Sequence, residues 1–136
     1  MGKIIQDVWI LNDSGVVLFS RVFDEKVDEQ LFGSFMTALN SFAGEISEGG
    51  LTSFELKDKK FTIRKENRFL FVVNSDKNEK TKKVEKELNQ IVNKFFDKYS
   101  GILENWDNDI SVFKDFEEDI DDSLKSAIKT MEEAFW

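Results

Sequence analysis

Residues 4–23 read Ile4-Ile5-Gln6-Asp7-Val8-Trp9-Ile10-Leu11-Asn12-Asp13-Ser14-Gly15-Val16-Val17-Leu18-Phe19-Ser20-Arg21-Val22-Phe23. Two runs rich in β-branched and aromatic residues flank Asn12-Asp13-Ser14-Gly15, four residues that favour turns. That pattern predicts a β-hairpin. The second run does not alternate apolar with polar. Val17, Phe19 and Phe23 fall on one face, and Val16, Leu18 and Val22 on the other. A strand that is apolar on both faces belongs in a sheet covered on both sides. The hairpin therefore predicts three layers, with helices above and below one sheet.

The chain downstream supplies the remaining elements. Residues 28–47 carry Leu31, Phe35, Leu39, Phe42 and Ile46 at helical spacing, with Phe32, Met36 and Ala43 beside them. Asp28 is the expected N-cap, and Gly49-Gly50 the stop. Three short strands are expected at 51–57, 61–65 and 69–73, joined by tight turns into an antiparallel meander. A helix is expected over 78–99, ending at Ser100-Gly101. A last helix follows, with Phe113, Phe116, Ile120, Leu124, Ala127, Met131 and Phe135 on one stripe. The expected order is β-β-α-β-β-β-α-α, an α+β three-layer α/β/α sandwich on a five-stranded antiparallel sheet. With no Pro-rich or Ser-rich linker and no repeat, residues 1–136 read as a single domain. The acidic helical segment 104–136 belongs to it.

Composition narrows the function. There is no Cys, His or Pro among 136 residues. Thiolate chemistry, His-based general bases and His-ligated metals are excluded. Residues 1–103 hold 16 basic and 16 acidic side chains, and residues 104–136 hold 3 and 11, so the C-terminal quarter carries the net charge of −8. An acidic chain argues against nucleic acid, whose phosphates need surplus Lys and Arg. No run suits a membrane span, and the N-terminal run lacks a signal-peptide cleavage site. The expected location is the cytoplasm. No Gly-rich phosphate loop is present, and no set of residues marks a catalytic centre or a cofactor site. The expectation is a protein that is not an enzyme and binds no cofactor.

The element order and the stretch from Ile4 to Phe19 resemble the longin domain. This is the profilin-like module of R-SNAREs, adaptor-complex small subunits and TRAPP core subunits. The resemblance covers about residues 3–103 and is most specific at the hairpin. Roadblock domains, a sister family, open with a helix, whereas this chain opens with a strand. Residues 104–120 resemble archaeal longin-like proteins of Asgard-type genomes. R-SNAREs carry a long coiled-coil segment after the longin domain. Only about 30 residues follow position 104 here, so fusion activity is not implied. The resemblance implies a platform that pairs with itself, or with another longin or roadblock domain, as a homo- or heterodimer. It also implies binding to a small Ras-like GTPase in a vesicle-trafficking or signalling complex.

In that family the second and third strands are the sheet edges, and edges invite pairing. The expected interaction residues are Val16, Leu18, Ser20 and Val22 on the second strand, and Leu51, Ser53 and Glu55 on the third. Glu29 and Ser34 on the first helix are candidates to touch a GTPase, as is Asn40. Met131, Phe135 and Trp136 form an apolar end that either docks or seeks a partner. The alternative function is a small-molecule sensor of PAS or profilin-like fold, with a Phe-lined cavity.

Two motifs are read as local structure. Asp107, Asp109, Ser111, Asp115 and Glu118 sit at calcium-loop spacings, but Val112 stands where the loop needs Gly. They read as a helix start with acidic residues near its positive end. Lys77, Lys80, Lys82, Lys83 and Lys86 are interleaved with Glu79, Glu85 and Glu87. That argues against peripheral membrane contact. Trp106 is expected to plug its loop onto the sheet or the first helix.

Overall fold

The computed structural model describes residues 4–22, 29–46, 52–107 and 109–120. The strands are β1 (Ile5–Asn12), β2 (Val17–Arg21), β3 (Ser53–Glu55), β4 (Lys59–Glu66) and β5 (Phe69–Asp76). The helices are α1 (Glu29–Ile46) and α2 (Thr81–Leu103), followed by a 3₁₀ turn at Ile110–Phe113. Residues 116–120 are again helical. All strand pairs are antiparallel, in the order β2-β1-β5-β4-β3. The expected N-cap Asp28, the Gly49-Gly50 stop, Phe23 and the last helix beyond residue 120 lie outside the described residues.

Both faces of the central strands β1 and β5 are buried. Val8, Ile10, Phe71 and Val73 pack under Val84, Leu88, Ile91, Val92 and Phe95 of α2. On the other face Trp9, Leu11, Leu70 and Val72 pack with Met36 of α1. Successive residues of β1 and β5 thus serve opposite layers, as apolar runs in a covered sheet must. Phe95 lies within ring-contact distance of Phe69, Phe71, Phe96, Tyr99, Phe113 and Phe116.

The β1–β2 hairpin is set by Asn12, whose Oδ1 accepts from the amides of Ser14 and Val16, both at 3.0 Å. Gly15 takes φ 87°, a left-handed value that favours glycine. The pairing shifts between Ile10 and Leu11, where Ile10 faces Phe19 and Leu11 faces Val17. Leu18 is the extra residue of a bulge. Consequently Leu18 and Phe19 both join the α2-side cluster, whereas Val17 joins the α1 side. The two-faced alternation expected for this strand is thereby corrected.

Other boundaries also differ. Lys59 and Lys60, expected in a turn, are strand residues paired with Asp76 and Ser75. Leu56, within the strand expected at 51–57, lies outside β3 and is exposed. The Ser100-Gly101 stop fails, and α2 runs through it to Leu103. Tyr99 is buried and Leu103 packs against the same core, so tertiary packing outweighs the glycine's helix cost. Trp106 joins the α2-side core beside Phe113, not the first helix.

One ionisable group is left at a disadvantage by this packing. Glu87 of α2 accepts the Ile5 amide at 3.2 Å. Burial pushes its carboxyl above the ordinary glutamate value, against the lowering effect of that hydrogen bond. A carboxyl with a raised folded-state pKa favours the folded state most below its unfolded pKa. That benefit is lost as pH rises through the folded value. Glu87→Gln should therefore raise the melting temperature at pH 7. The gain should vanish below about pH 4, where the native carboxyl is also neutral. A gain that persists unchanged in acid would refute this account of Glu87.

Candidate interaction surface

Among the described residues, four of the eight exposed large hydrophobic side chains lie on the outer face of α1. The large apolar residues of this helix form one broad stripe, and only one edge of that stripe reaches the sheet. The buried side is Phe32, Gly33 and Met36. Met36 is fully buried, and Phe32 stacks on Trp9 with ring centroids 4.3 Å apart. Gly33 permits the close approach. A Cβ there would collide with the Gly15 carbonyl oxygen, and one at Gly15 with the Thr37 hydroxyl. Backbone therefore meets backbone where α1 crosses the hairpin turn.

The opposite side shows Leu31, Phe35, Phe42 and Ile46 with 65%, 54%, 62% and 72% of their surfaces exposed. A wide apolar face at this spacing suits packing on a sheet, but these four residues point to solvent. Leu39 and Ala43 are intermediate. Ser34 borders the stripe, exposed, and its hydroxyl donates to the Gln30 carbonyl at 3.0 Å. Glu29 is the first residue of α1. Asn40, expected as a surface contact, is half-buried, and its Oδ1 lacks a partner among the described residues.

β3 and β2 are the sheet edges. On β3, Ser53 and Glu55 are exposed and pair with Thr62 and Lys60, on the face away from α1. Phe54 points to the α1 side, where it stacks on Phe61 at 4.6 Å with the rings 4° from parallel. Leu51 lies outside the described residues. On β2, Val16 just precedes the strand and is 38% exposed, whereas Leu18 is 5% exposed and belongs to the core. Ser20 is half-buried, and Val22 packs against the Trp9 cluster. The Leu18 side chain is therefore not available to a partner. Met131, Phe135 and Trp136 lie outside the described residues.

The segment after α2 lies against β2 and shields that side. Phe113 and Phe116 are fully buried, and Phe116 meets Phe19 edge-on at 5.3 Å. Lys98 fastens it through a 2.7 Å bond to Asp119, which raises the lysine's pKa. Asp109 caps the 3₁₀ turn, accepting from the Ser111 amide at 3.0 Å and hydroxyl at 2.7 Å. Those bonds hold its carboxyl below the usual aspartate value. The acidic residues of this stretch thus act as a helix start. Among the described residues no group of three or more acidic side chains could hold a metal. Nor is any helix there long and apolar enough to cross a membrane.

Solved structures share this architecture. Myxococcus xanthus MglB superimposes with a TM-score of 0.57 at 14% identity, over 69% of this chain and 85% of that one. A Roadblock/LC7 domain from Streptomyces avermitilis gives 0.57 at 16% identity, over 71% and 86%. A chain of the mammalian SRP receptor gives 0.57 at 16% identity, over 94% and 98%. At these identities the likeness is one of fold. No curated protein matches the sequence. The family model for the first longin domain of FUZ, MON1 and HPS1 matches residues 6–100, and this chain belongs to the longin family.

Proposed function

We propose that this longin domain is a non-catalytic interaction module of the cytoplasm. It pairs through the outer face of α1 and the neighbouring β3 edge with a second copy or with another longin or roadblock domain. The pair then presents a platform to a small Ras-like GTPase, in the manner of trafficking or signalling complexes. The observation that carries this reading is the row of Leu31, Phe35, Phe42 and Ile46 in solvent. Apolar surface of this kind marks an interface. Phe54, half-buried on the same side of the sheet, extends it towards an unpaired strand edge.

Light scattering of the purified chain should give the mass of a dimer. The double substitution Phe35→Asp and Phe42→Asp should give a monomer with an unchanged melting temperature, because neither side chain is part of the core. Removal of residues 122–136 should leave the dimer intact. Pull-down with Ras-family GTPases should then recover a partner from the GTP-loaded or GDP-loaded pool. A monomeric wild-type chain that binds no GTPase in either state would defeat the proposal.

A further inference from the structure

A separate feature lies at the turn end of the sheet, on its α2 side. An open cleft of about 540 Å³ runs between the tips of two hairpins and the end of α2. Its walls include Phe69, Phe96, Leu103 and Trp106, each packed against the core on one side and half-exposed on the other. Trp106 has its single polar atom satisfied, since Nε1 donates to the Asp109 carbonyl at 3.0 Å. What it offers a ligand is therefore ring surface.

The charges around the cleft are mainly negative, two carboxylates against one guanidinium. α2 ends here with no basic residue in its last turn, and its C-cap is Glu104. A helix C-terminus carries partial negative charge and ordinarily attracts Lys or Arg. This one adds a carboxylate instead, and Asp13 faces it from the hairpin tip. Neither carboxylate has an ion pair among the described residues. Arg68 is the one basic residue of the lining. It sits exposed in a two-residue turn at φ 69°, beside Asn67 at φ 49°.

We propose that this cleft binds an organic cation, an ammonium group carried on an aryl or alkyl frame. Aromatic faces attract cations through their quadrupoles and shelter the frame. The carboxylates and the helix end attract the charge. The cleft lies on the opposite face of the sheet from α1, so this inference and the dimer proposal can fail independently.

Calorimetric titration of the full chain with 2-phenylethylammonium, 2-phenylethanol and 3-phenylpropionate tests it. The ammonium should bind about fivefold more tightly than the alcohol, and the propionate should give no heat. Glu104→Gln and Asp13→Asn should each weaken the ammonium about fivefold, the worth of one exposed charge pair. Arg68→Gln should tighten it, because the competing positive charge is gone. Thermal melts of these surface variants confirm that each is folded. No heat from the ammonium, or equal affinity for the alcohol, would overturn the assignment. So would binding of the propionate that Arg68→Gln abolishes, since the cleft would then be an anion site.

Discussion

Replacing Gly33 by alanine should destabilise the protein by about 3 kcal/mol, the upper range for forcing extra volume into a packed site. The obstacle is the backbone carbonyl of Gly15 together with the Val17 side chain, which stands 3.1 Å from the added carbon. A flexible side chain could turn aside, but a hairpin carbonyl cannot move without breaking the turn that Asn12 holds. Against a total stability of roughly 5–15 kcal/mol this is a large fraction. Gly44, in the same helix, has nothing within 4 Å of the equivalent carbon. Gly44→Ala should therefore stabilise the chain by about 0.5–1 kcal/mol through helix propensity. Urea unfolding of both variants checks the pair. A Gly33→Ala chain as stable as the wild type would refute the close approach of α1 to the turn.

Phe116→Ala should cost about 3–5 kcal/mol, as expected for a fully buried phenylalanine. Its ring contacts Phe19 of β2, and Phe95 and Tyr99 of α2, at 5.3, 5.5 and 5.9 Å between centroids. The residue lies beyond positions 6–100, which the longin family model matches. A loss of this size would make residues 109–120 part of the folding unit. Asp119→Ala breaks the neighbouring bridge to Lys98, which is largely in solvent. It should cost at most about 1 kcal/mol. Equilibrium unfolding of both variants separates packing from charge. A cost below about 1 kcal/mol for Phe116→Ala would mean that the segment only rests on the sheet.

The layer count was read from the two-faced second run, residues 16–23, whose described residues do serve both layers although the bulge changes which face each takes; β1 carries the same message. No arrangement with one wet face accommodates Val8, Trp9, Ile10 and Leu11 in a row. The buried face of α1 was not legible from periodicity. Phe32, Met36 and Leu39 satisfy the helical spacing as well as Leu31, Phe35 and Phe42 do. The informative residue was Gly33, a poor helix former in mid-helix, whose use is to let two backbones touch. The bulge at Leu18 was hidden because an inserted residue is invisible where both faces are apolar. The stop at Gly101 misled because a local preference of about 1 kcal/mol yields to the burial of Tyr99 beneath the following residues. Of the candidate interface, the two edge strands followed from the family resemblance, and the strand order bears them out. The exposed helix stripe was in plain view but assigned to the wrong side.

β3 is only three residues long. So brief a border offers few free amide and carbonyl groups, and cannot template the unlimited stacking that a long naked strand invites. In the proposed pair, growth through this margin would stop at a short clasp, and the hydrophobic side of α1 would have to provide most of the affinity. Such a pair would close on itself in place of a fibre.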